Sequence, residues 1–142
     1  MDNGKKFIAD MIKDSQDEKR VFNMPQNKVD YIKKDEYFKN HKFQEVPIDT
    51  LIEHNDLNNK VALSNHAQLW SPTGREEDVD PAQFKYEPEK DNDAHDVIYG
   101  SSRNGIIKLS NGRHRVRALK NAGYTHVNIP VYSDEKDDII KK

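Results

Sequence analysis

The sequence predicts an α+β fold, a small mixed sheet with flanking helices. Asn104-Gly105 lies between two β-branched runs, which predicts a hairpin because both central residues of a type I′ turn need a positive φ. An apolar pattern over 113–122 that ends at Gly123 predicts a helix, and 127–132 predicts a final strand. The predicted order is strand, helical turn, irregular insert, hairpin, helix and strand, which is typical of α+β domains.

Residues 1–42 are predicted to form an N-terminal helical accessory segment. Apolar residues from Phe7 to Ile12 make a narrow amphipathic stripe, which predicts a helix within 5–20. A second short surface helix is predicted over 27–40, where a few apolar residues alternate with many charges.

The middle of the chain carries weaker signals. A strand is predicted over 43–48, and Pro47 places it at an edge or an end of the sheet. Asp49 is predicted to cap the helical turn that follows. Residues 54–96 contain prolines and acids without clear periodicity, which predicts a long irregular insert. The first hairpin strand is predicted to begin at His95.

Composition limits the classes of function. The chain has 142 residues, no cysteine and a formal net charge of −2. The lack of cysteine excludes disulfides, thiolate metal sites and cysteine nucleophiles. So small a net charge gives no global attraction to DNA or to an anionic membrane, and such binding must use a local patch. Because no apolar run approaches the ~18 residues of a membrane span, we expect no membrane partner.

Residues 110–117 combine several residue types that bind phosphate. They include the predicted start of a helix, where unpaired N–H groups and the helix dipole attract anions. Ser110 and Asn111 are candidate caps that could also contact a ligand, and Gly112 would let a phosphate approach the backbone closely. Three arginines add guanidinium groups, whose geometry matches that of phosphate. They are Arg113, Arg115 and Arg117.

The concentration of positive charge at this helix start has two interpretations. Cations at a helix N-terminus are unfavourable, so a bound phosphate would offset them. Alternatively, the arginines extend into solvent or pair with the acids of residues 76–96. His114, which lies among them, is either a general acid/base or a structural histidine that packs and forms hydrogen bonds.

Residues 106–132 resemble the signature segment of the ParB/sulfiredoxin superfamily. In that superfamily a strand leads into Gly-x-His-Arg or Gly-x-Arg-Arg, and a helix, a glycine and an Ile-Pro-Val strand follow. The corresponding letters here are IIKLSNGRHRVRALKNAGY and IPVY, and residues 46–52 are similar to the opening strand and turn of the superfamily. The resemblance implies a ParB/sulfiredoxin-like domain over 43–132, followed by a charged tail over 133–142.

The resemblance also implies a phosphate site, excludes sulfiredoxin activity and disfavours a complete partition protein. The turn containing Gly112, His114 and Arg115 would hold nucleotide phosphates or a phosphodiester. Sulfiredoxin activity needs a cysteine just before the His-Arg pair, where this chain has Arg113. A complete partition ParB protein would carry a helix-turn-helix module after this domain, whereas ten residues follow Tyr132. The remaining branches are ParB-like nucleases and small-molecule kinases that use the same turn to bind a nucleotide.

Each candidate residue has an expected role in phosphate chemistry. His114 is the catalytic acid/base and Arg115 clamps the transition state. Glu45 and Asp49 are second-choice acids, since the resemblance brings the first strand towards the phosphate site. An Asp-x-Asp-x-x-Asp cluster before the hairpin would hold Mg²⁺, or it is a solvated acidic loop. Its members are Asp91, Asp93 and Asp96.

Three functions follow from these expectations. The first is a ParB-like nuclease that acts on nucleic acid, as a toxin effector with a cytoplasmic site of action. Such an effector would be secreted or delivered as part of a larger toxin, and an immunity protein would cover its arginine turn. The second function is a nucleotide-dependent kinase of a small molecule, for which ATP is the candidate nucleotide. The third is a non-catalytic module that binds a nucleotide or DNA.

Overall fold

The computed structural model describes residues 18–64, 66–75, 79–88, 91 and 93–133. It has five strands, three α-helices and several 3₁₀ turns within those ranges. In chain order the elements are β1 (Val21–Asn23), α1 (Gln26–Lys34), a turn at Glu36–Phe38, β2 (His41–Pro47), α2 (Ile48–Asn55), turns at Ala67–Trp70 and Pro81–Gln83, β3 (Tyr99–Arg103), β4 (Ile106–Asn111), α3 (Arg113–Asn121) and β5 (His126–Ser133). The five strands form one mixed sheet, which confirms the predicted α+β class.

Strand β5 is the centre of the sheet. It pairs along its length with β2 in the antiparallel sense, and its other edge pairs in parallel with β1 at its start and with β3 at its end. Its inward-facing residues Val127, Ile129 and Val131 are buried, as expected for a central strand. Pro130, which has no backbone N–H, lies in the interval where the paired edge changes from β1 to β3.

The β3–β4 hairpin confirms the turn prediction. Asn104 and Gly105 both have positive φ, 54° and 78°, as a type I′ turn requires. Strand β3 begins at Tyr99 rather than at His95 as the sequence suggested. The backbone just before β3 does not form strand hydrogen bonds at Asp96 and Val97. Their carbonyl groups accept hydrogen bonds from the side chains of Lys28 and Asn111 instead.

The N-terminal region belongs to the same core as the rest of the domain. Strand β1 joins the central strand, and α1 buries Ile32 and Lys28. The described part of the N-terminus is therefore a component of the sheet, which differs from the accessory segment that the sequence suggested. The predicted helix within 5–20 lies almost entirely outside the described residues, as does the charged tail after Ser133.

The irregular insert packs over α3. Its two 3₁₀ turns contact this helix, and Asn121 at the helix end donates hydrogen bonds to the carbonyls of Pro81 and Phe84, at 2.8 and 3.0 Å. The insert also supplies core side chains, which are Leu57, Leu63, Ala67, Val79 and Phe84. Helix α3 therefore lies against the insert, and it also contacts the helix Ile48–Asn55.

Helix α2 begins one residue earlier than its predicted cap. Pro47 precedes the helix, and Asp49 lies within its first turn, where it pairs with Lys120 at 2.7 Å instead of capping. As predicted, β2 is an edge strand and Pro47 ends it. Among the helices of the described ranges, none combines the length and apolar character needed to cross a bilayer.

Candidate functional site

The start of α3 is the centre of the predicted site. Gly112 precedes the helix in the left-handed region, with a φ of 96°. Within the described residues no side chain caps the helix, and its first turn contains Arg113, His114 and Arg115 but no acid. The first N–H groups of a helix have no intrahelical acceptor, so the turn presents amide donors and basic residues together.

Ser110 and Asn111 do not cap α3, contrary to the prediction. The Asn111 side chain instead donates hydrogen bonds to Asp96 Oδ1 at 3.1 Å and to the Val97 carbonyl at 2.9 Å. Asn111 therefore attaches the end of the insert to the start of the helix. Ser110 is exposed at the end of β4 and lines two surface recesses.

Gly112 is required by packing as well as by its backbone conformation. A Cβ atom at this position would lie 2.9 Å from Ile98 Cγ1 and 3.0 Å from Ile98 Cα. The side of Gly112 that a Cβ would occupy is thus filled by a core isoleucine. Because that side is closed, a phosphate that approaches Gly112 must come from another direction.

Arg115 is buried in a cluster of charges from three parts of the chain. Its Nη2 atom lies 2.8 Å from Asp96 Oδ2 and 3.0 Å from Asp91 Oδ1. Lys28 of α1 lies 2.7 Å from the same Asp91 oxygen and also donates to the carbonyls of Asp93 and Asp96. We call Lys28, Asp91, Asp96 and Arg115 the charged cluster. The two cations and two carboxylates of the cluster leave it without net charge. Arg115 therefore pairs with acids of the insert, which is the second of the two interpretations of the sequence.

Electrostatics inside the charged cluster favour the ionised form of Asp96. Burial raises the pKa of Asp96, but the hydrogen bond and charge of Arg115 outweigh it and hold that pKa below its ordinary value. Tyr86 borders the cluster and donates its hydroxyl to Asp91 at 3.4 Å. Burial, with the charge of Asp91, raises the pKa of Tyr86 to about 12. The phenol is therefore protonated at neutral pH.

The predicted Mg²⁺ ligands are not brought together as a ligand set. Asp91 and Asp96 bind Lys28 and Arg115, whereas the Asp93 side chain is exposed and accepts the His95 N–H at 2.9 Å. Among the described residues no group of three or more histidines and acids is arranged to hold a metal ion. A divalent ion here would have to displace two buried cations, so the donor set does not fit Mg²⁺.

His114 is held between two aromatic rings. Its imidazole stacks on Trp70 and on Phe84, with ring centroids 6.1 and 5.9 Å away. Its Nε2 lies 2.9 Å from the Leu63 carbonyl oxygen, which can only accept a hydrogen bond. The proton is therefore on Nε2, and in the neutral ring Nδ1 is the basic nitrogen.

The other two arginines have opposite environments. Arg117 is buried, and its guanidinium donates to Asn58 Oδ1 at 2.9 Å and to Asn121 Oδ1 at 2.5 Å. Burial lowers the pKa of Arg117. Arg113, at the first position of the helix, is exposed. Arg113 is thus the arginine of the predicted set that faces solvent.

Glu45 and Asp49 lie near the wrong end of α3 for a role at its start. Glu45 pairs with Lys19. In the sheet it lies opposite Asn128 of β5, the strand that follows the end of α3 in the chain. Asp49 binds Lys120 in the last turn of the helix. Neither acid is joined to the start of α3, so the structure separates them from His114 and Arg113.

A recess of about 300 Å³ adjoins the charged cluster. It is lined by Leu69, Trp70, Lys85, Tyr86, Glu87, Asp91, Asp96 and Arg115. Lys28 was not predicted as a residue of the site, although one signal in the sequence was present. Lys28 precedes Ile32 by four residues and so lies on the same, apolar face of α1. A cation buried at such a position needs a carboxylate partner.

Comparison of the chain with protein-family models, with curated proteins and with solved structures finds no match. The similarity to the ParB/sulfiredoxin superfamily therefore depends on the motif in residues 106–132. In the structure that motif comprises β4, α3 and β5, which are consecutive elements around the site.

Proposed function

We propose that the start of α3 binds a phosphate of a nucleotide or nucleic acid, and that the protein is a ParB-like domain acting on phosphodiester bonds. The observation that carries the proposal is the first turn of α3, which is basic, contains no acid and is uncapped by any described side chain. Backbone N–H groups and a positive helix dipole at such a turn are a general means of binding anions.

The unbalanced positive charge at this turn belongs mainly to Arg113. A cation in the first turn costs about 0.3–1 kcal/mol, and two carboxylates offset this cost for Arg115. Arg113 is exposed and lies beside the uncapped N–H groups. A phosphate bound there would accept hydrogen bonds from the backbone and pair with the Arg113 guanidinium.

In the nuclease form of the proposal, His114 acts through Nδ1. Its Nε2 proton is directed at the Leu63 carbonyl, so Nδ1 is the nitrogen that accepts a proton. Water would attack phosphorus while Nδ1 takes its proton, and the leaving oxygen would be protonated by solvent. If the domain is a toxin effector, it acts in the cytoplasm and an acidic immunity protein would cover the turn around Arg113.

A second candidate, a non-catalytic binding module, has specific support. His114 is stacked between Trp70 and Phe84, and Arg115 is neutralised by two carboxylates. Both environments are typical of structural side chains. In this function the phosphate binds at Arg113 and the backbone, and no bond is broken.

The two candidates separate in a binding and cleavage assay. The protein is incubated with total RNA, plasmid DNA and ATP, with and without Mg²⁺, and compared with Arg113→Ala and His114→Ala. Arg103→Ala is the matched control, since this exposed arginine lies at the turn of the hairpin, at the opposite end of the hairpin from Asn111. Circular dichroism verifies that each variant folds.

We expect Arg113→Ala to weaken nucleic-acid or nucleotide binding and Arg103→Ala to leave it unchanged. Cleavage by the wild type that disappears in a folded His114→Ala variant supports the nuclease. Binding without cleavage under every condition supports the binding module instead. If neither binding nor turnover occurs, or if Arg113→Ala binds as tightly as the wild type, the phosphate site at α3 is wrong.

A further inference from the structure

A continuous group of aromatic rings borders Asn111, whose side chain also binds Asp96 of the charged cluster. We call it the aromatic face, and its rings belong to Tyr31, Tyr37, Phe38, His41, His95, Tyr99 and Tyr132. The rings come from α1, the turn after it, β2, the segment before β3, β3 and β5. Neighbouring centroids are 4.5 to 6.1 Å apart, so the rings touch one another.

Several of these rings remain accessible to solvent. Tyr37 is 61% exposed although it contacts Phe38, His41 and Tyr99. Phe38 beside it is buried and supports the ring from below. Tyr37 is therefore fixed in place by aromatic contacts while much of its surface faces water.

Two recesses divide the aromatic face. One, of about 340 Å³, includes Tyr37, His41, Tyr132 and Ser110 in its lining. The other, of about 420 Å³, includes Tyr37, Tyr31, Tyr99, Ser110 and Asn111. Tyr37 and Ser110 line both, so they form the ridge between them. Both volumes are within the range of small-molecule sites.

The larger recess reaches the residue before Gly112 and α3. Ser110 lines both recesses and Asn111 lines the larger one, and Gly112 and the helix follow directly in the chain. A ligand that occupies the recesses would extend past Asn111 to reach the basic first turn. Ser101, Asn40 and the tyrosine hydroxyls supply polar groups beside the rings. Glu36 and Lys39 also line one recess, and they pair at 2.9 Å, so their charges cancel. The surface therefore offers flat ring contacts and hydrogen bonds.

We propose that the aromatic face binds the bases of single-stranded nucleic acid, while a phosphate of the same strand binds at the start of α3. This inference rests on the proposed phosphate site and specifies the class of ligand. Bases stack on aromatic side chains largely irrespective of sequence, and in a duplex their faces are not available. The net charge of −2 also disfavours a duplex, which requires an extended basic surface.

The test is fluorescence anisotropy with a labelled single-stranded oligonucleotide of about 12 nucleotides and with the matching duplex. Tyr37→Ala removes the exposed ring, and Tyr37→Phe keeps it. Val61→Ala is the control, because this exposed side chain lies outside the aromatic face. We expect Tyr37→Ala to bind the single strand about tenfold more weakly or worse, the effect of losing one stacked base, with Tyr37→Phe and Val61→Ala close to the wild type.

Binding of inorganic pyrophosphate distinguishes failure of this inference from failure of the proposed function. Pyrophosphate binding that Arg113→Ala abolishes, together with an oligonucleotide affinity that Tyr37→Ala leaves unchanged, overturns the inference but supports the phosphate site. Oligonucleotide binding that depends on Tyr37, with no pyrophosphate binding, supports the aromatic face and overturns the phosphate site. Equal affinity for the duplex, or a protein partner that binds through Tyr37 while the oligonucleotide does not, also overturns the inference.

Discussion

The charged cluster and the aromatic face both border Asn111 and reverse the usual distribution of side chains. In the charged cluster, Lys28 is 0% exposed and Arg115 is 4% exposed. On the aromatic face, Tyr37 is 61% exposed. Buried charges need partners and exposed rings lose hydrophobic stabilisation, so each region departs from the arrangement that stability alone would select.

The difference shows which region holds the fold and which is available to a ligand. The charged cluster joins α1, the insert and α3 through pairs that leave no net charge. The aromatic face makes its ring contacts internally and leaves recesses open to solvent. Substitutions in the cluster should therefore affect folding, whereas substitutions of the exposed rings should affect binding.

The largest expected effect is from Lys28→Met. Removal of this cation takes away one of the two charged partners of Asp91 and the donor to the carbonyls of Asp93 and Asp96. The free energy of unfolding should fall by about 4 kcal/mol, because a buried charge loses its partner. Urea denaturation measures the change. Lys33→Met, at an exposed position of the same helix, should change stability by less than about 0.5 kcal/mol. Similar losses for both variants would contradict a structural role for the cluster.

The neighbouring residues Tyr37 and Phe38 test the aromatic face itself. Phe38 is buried, and Phe38→Ala should cost about 3 kcal/mol of unfolding free energy because it leaves a cavity. Tyr37→Ala should cost about 1 kcal/mol or less, since its ring is mostly solvated. Urea midpoints of the two variants give the comparison, and an equal loss would show that the Tyr37 ring serves the fold.

Gly112 and Gly105 separate packing from backbone strain. Both have positive φ, so alanine at either position should cost about 1 kcal/mol from the backbone. An added Cβ at Gly112 would also collide with Ile98, whereas no atom lies within 4 Å of one at Gly105. Gly112→Ala should therefore lower the thermal midpoint more, with a total loss of about 2 kcal/mol. Equal shifts of the thermal midpoint in calorimetry would show that Ile98 moves aside with little loss of stability.

The smallest expected effect is a change in acid stability through Asp96. Its pKa is lower in the folded protein than in the unfolded chain, so its contribution is present above the unfolded pKa and is lost as the pH falls through the folded value. Asp96→Asn should reduce the loss of stability below about pH 4, measured as urea midpoints against pH. Asp49→Asn, at an exposed pair, is the control. An unchanged acid profile of Asp96→Asn would contradict the assigned pairing.

Local features of the fold were predictable because they depend on adjacent residues. The hairpin turn follows from the positive φ of Asn104 and Gly105, and Gly123 also has the positive φ expected after α3. The predicted cap at Asp49 was wrong, because this side chain pairs with Lys120, a residue distant in sequence. Pairing of that kind depends on how α2 and α3 pack, which no local pattern records.

The sequence predicted the basic start of α3, and the role of that segment as a binding site stays a prediction. The sequence indicated the basic segment and left open whether its arginines bind a ligand or pair with acids. Arg115 takes the second course and Arg113 remains exposed. The aromatic face was not predicted, because its rings are spread over α1, β2, β3 and β5 and come together only in the folded sheet.

The amino-acid sequence alone determined the class of the fold, the β3–β4 hairpin and the basic start of α3, since turn conformations and apolar periodicity are properties of neighbouring residues. Only the tertiary structure decided which cations are buried and which rings are exposed. Lys28 meets the Asp93 carbonyl across 65 residues and Arg115 meets Asp96 across 19, and such pairs form only after the insert has packed over α3. Burial is a property of this packing, which is why residue type by itself could not assign it.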